Sequence, residues 1–210
     1  MPITAKLVAN LLVTAGANRI LTMDLHAQQM QGFFDIPVDH LYAAPVLVRY
    51  LRQAVTAPAV VVAPDSGSVK MADYYAGLLG ADLAIVAKRR VDAQQVAVLN
   101  LVGEVEGRDC VLVDDLATTA GTIVAAATRL REAGARRIFT AVTHCRLTTE
   151  GYQRLADSCI DEFVTTDTIP ASPQQPGVKR ITILSVAELM AEAVKRIHEE
   201  RSVTTLFQLA

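Results

Sequence analysis

The chain has 210 residues, of which 51% are hydrophobic and only 5% aromatic, with no tryptophan. Its core must therefore be packed from Val, Leu, Ile and Ala, as in a parallel sheet covered by helices. A formal net charge of −2 excludes the basic surplus of a nucleic-acid-binding protein, and no apolar run approaches the length of a membrane span. Cys110, Cys145 and Cys159 are odd in number and lack zinc-like spacing. They read as reduced thiols of a cytoplasmic protein.

Strand-like apolar runs alternate with helical patterns along the chain, the signature of an α/β fold. Met1–Thr4 enters an amphipathic helix, Thr4 to Thr14, without a secretory leader. Arg19 to Asp24 is a strand ending in an acid. Ala44 to Ala54 is a helix with Pro45 in its first turn, where proline is tolerated. Ala59 to Ala63 is a strand, and Val69 to Leu79 a helix closed by Gly80. Leu83 to Ala87 is a strand that runs into Lys88-Arg89-Arg90. Val91 to Gln95 reads as a mobile loop before β structure returns within Val96 to Val105. Cys110 to Val113, wholly apolar, is expected at the centre of the sheet. A helix over Thr122 to Glu132, a strand over Arg137 to Thr143, a helix over Glu150 to Asp157 and a strand over Glu162 to Thr165 follow. Pro170 to Gly177 is a surface loop. Ile181 to Leu184 is the last strand, and Ser185-Val186-Ala187-Glu188 forms a capping box for the final helix, to about His198.

Four strings carry candidate chemistry. In the first, the central strand delivers Asp114 and Asp115, a small-residue loop follows, and a helix begins at Thr122. Ligands of open parallel sheets bind at that edge. Backbone N–H groups of Thr118, Thr119, Ala120, Gly121 and Thr122 can face a phosphate, aided by the helix dipole. The two carboxylates can accept bonds from sugar hydroxyls. The second is Asp24 to Asp39, where His26 follows a strand end. The third, Pro64-Asp65-Ser66-Gly67-Ser68, lets backbone approach an anion; read alone, it is equally a helix N-cap. The fourth is Lys88-Arg89-Arg90, which without context is a solvated charge cluster. His40, His144 and His198 read as packed or solvated residues, although His144 also ends a strand on the ligand edge.

The Asp114–Thr122 string resembles the ribose-phosphate loop of type I phosphoribosyltransferases. The Asp24–Asp39 string resembles the signature of the ribose-phosphate diphosphokinases (PRPP synthases) along its whole length. The resemblance runs on to Ser202–Phe207. It implies a parallel-sheet phosphoribosyltransferase-like domain flanked by helices over residues 1–210, and transfer of pyrophosphate from Mg·ATP to ribose 5-phosphate. It implies that Asp114, Asp115 and Thr118–Thr122 bind ribose 5-phosphate and that Asp65–Ser68 form the pyrophosphate loop. His26 and Asp65 would place Mg²⁺, and Lys88 and Arg90 belong to a catalytic loop over ATP. A homo-oligomer, hexameric in the family, is implied as well.

The string departs from the family at Thr118, where an acid is usual, at Ser68, where a second glycine is usual, and at Met71, often an arginine. The family also carries a further α/β domain before the point where this sequence begins, and the expectation is that this domain is largely absent. Two other readings compete: a non-catalytic synthase-associated regulatory subunit, and a salvage phosphoribosyltransferase. The Asp114–Thr122 string suits the latter equally, but the strings around His26 and Lys88 do not.

Overall fold

The computed structural model describes residues 2–56, 58–89, 98–170 and 181–208. In chain order the elements are α1 (Pro2–Thr14), β1 (Ile20–Met23), a 3₁₀ turn (Gln28–Phe33), β2 (Val38–Leu41), α2 (Ala44–Ala54), β3 (Ala59–Ala63), α3 (Val69–Leu79), β4 (Asp82–Arg89), β5 (Val98–Val102), β6 (Asp109–Ala117), α4 (Gly121–Glu132), β7 (Arg137–Cys145), α5 (Thr149–Ala156), β8 (Glu162–Thr166), β9 (Ile181–Leu184), α6 (Ala187–His198) and a closing 3₁₀ turn (Thr204–Gln208).

Among the described residues seven strands form one sheet in the order β5-β4-β3-β6-β7-β8-β9. All neighbours are parallel except the edge pair β4–β5, which is antiparallel. The alternation of side chains along a strand divides the core in two. Val111 and Val113 of β6 pack with Leu47, Val48 and Leu51 of α2 and with Ala72 of α3. Cys110 and Leu112 face the other way, toward Ile123, Ala127 and Leu130 of α4 and Leu155 of α5. Both faces of β6 are thus buried, which is why it reads as an unbroken apolar run.

β1 and β2 form a separate two-stranded parallel sheet. Leu41 of β2 packs with Leu189 and Ala193 of α6 and with Leu206. Two features of this region differ from expectation. β2 was not evident in the sequence. The capping box of the last helix is also absent: the residue before α6 is Val186, and its N–H donates to Asp167 Oδ1 at 2.9 Å. Ser185 Oγ instead accepts from Ala187 N–H. An upstream carboxylate at the end of β8 has taken over the cap.

The expected loop at Val91–Gln95 lies outside the described residues, as does Pro170–Gly177 apart from Pro170 itself. β6 is longer than its apolar stretch and takes Asp114 and Asp115 inside the strand, with Asp114 opposite Val142 of β7. At its opposite end Asp109, fully buried, accepts from Arg136 Nη2 and Arg137 Nη2, each at 2.8 Å, and from Thr56 N–H at 3.2 Å. Burial alone would raise this carboxyl, but the two guanidiniums and the N–H outweigh it and hold the group below its ordinary range. Its stabilising contribution is therefore present above the ordinary carboxylate pKa and fades as pH falls through the depressed one. Asp109→Ala should cost about 3 kcal/mol, because the buried acceptor is lost while its donors stay. Urea denaturation checks this, and an unchanged midpoint would show that the cluster is merely a surface network.

Candidate active site at the C-terminal sheet edge

The C-terminal ends of β3 and β6 and the segment after β1 converge on one cleft. It encloses about 440 Å³ and is lined by His26, Gln29, Asp65, Lys70, Asp114 and Asp115, among others. The edge is where an open parallel sheet leaves its crevice.

β6 supplies the two acids. Asp115 is buried, and its Oδ2 lies 2.7 Å from His26 Nδ1. The His26 side chain itself is 77% exposed. Asp114 Oδ1 accepts from Asp115 N–H at 3.0 Å. Burial first, and then repulsion from Asp115, push Asp114 up to about 7, with Asp65 adding to the repulsion.

The loop after β3 supplies the third acid. Asp65 Oδ1 accepts from Gly67 N–H at 2.8 Å and from Ser68 N–H at 3.1 Å. Ser68 Oγ lies within hydrogen-bonding distance of both Asp65 O and Oδ1. Ser68 sits at φ −90°, ψ 2°, a conformation that needs no glycine. The loop is a tight local turn wound around one carboxylate oxygen of Asp65.

Beyond β6, Asp114 and Thr118–Thr122 line a small cup of about 70 Å³. Ala120 takes a left-handed conformation at φ 54°, uncommon for a residue with a Cβ. It turns the chain into α4, whose first N–H groups have no intrahelical acceptor. The Asp114–Thr122 string thus forms one continuous rim from acids to helix N-terminus.

The residues assigned to Mg²⁺, His26 and Asp65, border the same cleft, but His26 Nδ1 is engaged by Asp115. Among the described residues no three His, Cys, Asp or Glu side chains are grouped to hold a metal ion. The donor chemistry nevertheless suits Mg²⁺. Magnesium is usually held by one or two carboxylates together with substrate phosphates, and Asp65, Asp114 and Asp115 line one cleft.

Lys88 lies within β4 by its backbone, opposite Leu99 of β5. Its side chain and the whole of Arg90 lie outside the described residues, so the catalytic assignment of these two cations rests on the sequence string. Several site residues escaped the sequence. Lys70, on the first turn of α3, lines the cleft. An adjoining recess of about 360 Å³ is walled by Tyr42, Tyr74, Tyr75 and Met71. His40 and His144, read as packed residues, are wired to the segment that carries His26. His40 Nε2 accepts from Leu25 N–H at 3.0 Å. His144 Nε2 lies 3.1 Å from the Met23 carbonyl and 3.2 Å from that of Asp24. The strand-end position of His144 on the ligand edge was legible in the sequence; the partners of both were not, because they lie far along the chain.

Residues 90–208, more than half of the chain, match the family described as the phosphoribosyl synthetase-associated domain. The chain belongs to that family. Among relatives, it is 50% identical over 207 residues to a ribose-phosphate pyrophosphokinase of Caldanaerobacter subterraneus, covering 98% of this chain and 65% of the relative. It is 47% identical to a ribose-phosphate pyrophosphokinase of Neisseria meningitidis, with 99% and 63% covered. The crystal structure of phosphoribosylpyrophosphate synthetase from Mycobacterium smegmatis aligns with a TM-score of 0.83 at 40% identity, over 95% of this chain and 65% of that one. The chain therefore spans just under two thirds of the length of these phosphoribosyl synthetase relatives, and the expected α/β architecture holds.

The raised Asp114 has a measurable consequence. Its folded-state pKa lies above the ordinary value of 3.8, at about 7. The folded state binds the extra proton between those values, so stability falls as pH rises through that window and levels off above it. The swing is roughly 2–4 kcal/mol. Asp114→Asn should remove it, so that the variant gains on the parent from pH 4 to about pH 7 and holds that gain above it in denaturation experiments. Parallel curves for the two proteins would contradict the assignment.

Proposed function

We propose that this chain carries the ribose 5-phosphate and pyrophosphate subsites of a ribose-phosphate diphosphokinase, which transfers the β,γ-pyrophosphoryl group of Mg·ATP to the anomeric hydroxyl of ribose 5-phosphate and releases AMP. The carrying observation is the convergence, on one sheet edge, of an anion cup, a pair of adjacent acids and the Asp65 turn. The names of the relatives support the reading.

The cup of Thr118–Thr122 would receive the 5-phosphate through backbone N–H groups and threonine hydroxyls. Asp114 and Asp115 would accept from the two ring hydroxyls. A ligand seated so would point its anomeric carbon into the cleft toward Asp65 and His26, the residues that would hold Mg²⁺ together with the nucleotide's phosphates. When bound, that cation supplies charge neutralisation on the transferred group. Reaction of this kind rests on positioning and charge stabilisation more than on covalent help. Lys88 and Arg90 are assigned to the charge that grows on the pyrophosphoryl oxygens.

The proposal extends to a homo-oligomer, hexameric by resemblance. The apolar ridge of α1, with Ile3, Leu7 and Leu11 each more than half exposed, is consistent with cover by another surface. A cytoplasmic setting is supported by the free thiols Cys110, Cys145 and Cys159. Among the described residues no helix is long and apolar enough to cross a membrane.

The decisive assay incubates the chain with ATP, Mg²⁺ and ribose 5-phosphate and follows AMP and PRPP together. Equal formation of both is expected. Binding of ribose 5-phosphate without turnover would mean either an enzyme that needs the further domain of the family or a regulatory subunit, and supplying that domain would tell the two apart; nucleotide formation from PRPP and a free base would turn the reading into a salvage enzyme. In the active protein, Lys88→Ala should lower kcat by about a hundredfold or more and leave ribose 5-phosphate affinity within about twofold of the parent; an unchanged kcat would remove Lys88 from the machinery.

A further inference from the structure

The cup owes its shape to a segment that the sequence did not connect with it. Three successive carbonyls, from the last residue of β6 into the loop before α4, are all taken by the β7–α5 turn and α5. Ala117 O accepts from Arg146 N–H at 2.9 Å, and Thr118 O accepts from Thr148 N–H at 3.0 Å. Thr119 O accepts from Arg154 Nη1 at 3.2 Å. In a planar trans peptide the C=O and the N–H of one unit point in opposite directions. Tying back these three carbonyls therefore turns the N–H groups of Thr118, Thr119 and Ala120 to the other side, toward the cup. Among the described residues none of these three N–H groups donates to another backbone group. Successive N–H groups ending in a left-handed residue form an anion-binding nest, and Ala120 is that residue here.

The three restraints differ in kind. Two come from backbone N–H groups that no substitution removes cleanly. Thr148 is fixed by capping α5, where its Oγ1 accepts from Gly151 N–H at 3.1 Å. Gly151 brings the helix so close that a Cβ there would stand 2.6 Å from Thr118 O. The third restraint is a side chain. Arg154 is shared between Thr119 O and Glu150 Oε1, its i−4 neighbour. Its guanidinium lies so close to Gly121 that a Cβ there would meet Nη1 at 3.3 Å. One planar fork thus spans helix α5 and the loop.

We propose that Arg154 is a positioning residue of the ribose-phosphate subsite: by holding the Thr119 carbonyl it presets the orientation of the Ala120 N–H and the pitch of the cup. The assignment rests on the reading of the cup as the 5-phosphate site. It adds that the cup is preorganised in the free protein by α5, so little ordering remains to be done on binding.

The test compares the parent with Arg154→Ala and Arg154→Lys by two independent measurements. The first is ¹⁵N relaxation of the Thr119, Ala120 and Gly121 amides in the ligand-free protein. The second is calorimetric binding of ribose 5-phosphate and of inorganic phosphate, with KM and kcat in the active protein. Arg154→Ala should loosen the three amides and weaken ribose 5-phosphate about tenfold. KM for ribose 5-phosphate should rise while KM for ATP stays put. The melting temperature should move by no more than about 2 °C, since the lost pair is exposed. Arg154→Lys, which keeps the charge but loses the fork, should retain most of the defect. Unchanged relaxation in Arg154→Ala would overturn the proposal whatever the affinity does. Full recovery of affinity in Arg154→Lys with the amides still loose would overturn it too, by showing that charge alone matters. If the parent binds no ribose 5-phosphate, the functional reading fails while the relaxation data still decide the role of Arg154 in the loop.

Discussion

The arrangement of the site depends on one buried carboxylate, Asp24. It sits at the end of β1, in a left-handed conformation at φ 40°, which aspartate tolerates better than most residues. Its Oδ2 accepts from Ala43 N–H at 2.9 Å and from Thr143 Oγ1 at 2.7 Å. The first of these bonds reaches the start of α2 and the second reaches β7 of the large sheet. Burial raises this carboxyl, and the two donors, with the nearby His144 and His40, pull against that rise. The carboxylate thereby ties the small β1–β2 sheet to the large one, in surroundings where a lost partner is costly.

The joint places the residues that come directly after it in the chain. Two positions beyond Asp24 is His26, whose ring reaches Asp115 on the central strand. The bonds from His144 to the carbonyls of Met23 and Asp24 fix the same corner from the β7 side, and Thr168 Oγ1 lies 2.8 Å from His144 Nδ1. Leu25 N–H, given to His40 Nε2, requires that nitrogen to be unprotonated. Burial agrees with this, since it lowers the pKa of His40, with Asp24 opposing. Both histidines act as rigid hydrogen-bonding spacers. The residue that meets the cleft is the exposed one, and it is held there by neighbours that carry no chemistry of their own.

Much of this was legible in the sequence, and the failures have identifiable causes. The helices from Ala44 and Val69 announced themselves by period, by Pro45 and by Gly80, and the structure begins and ends them where those signals stand. β6 was read too short because Asp114 and Asp115 break an apolar run, although a ladder with β7 needs no apolar side chains to continue. β2 was missed because Val38-Asp39-His40-Leu41 has neither alternation nor an apolar run; it is a strand because it pairs with β1. The cap of α6 was misassigned because a local pattern, Ser185 to Glu188, competes with Asp167, whose approach depends on tertiary structure. The acids and loops of the site were legible because each sits in one contiguous string. The braces, Arg154 on one side and Thr143 and His144 on the other, act across 35 to 121 positions of sequence and leave no local trace.

The same division explains how the site can bear unusual residues. Thr118 stands where an acid is usual by resemblance, yet the structure uses that position through its carbonyl and the following N–H. Its side chain is exposed at the rim. Exchanging an acid for a hydroxyl there removes a negative charge from the rim of the cup and leaves the main-chain bonds of the loop in place. Ser68 stands where a glycine is usual, in a conformation that does not require one, and it adds a hydroxyl to the Asp65 turn. Met71 is the departure with the largest chemical reach, because it replaces a frequent cation with an apolar side chain between the cleft and the tyrosine-walled recess. Positive charge in that corner then falls to Lys70, one residue earlier on the same helix. A cup built from main chain and braced from behind depends little on the identity of its rim residues, whereas the balance of charge around the three acids depends on them directly.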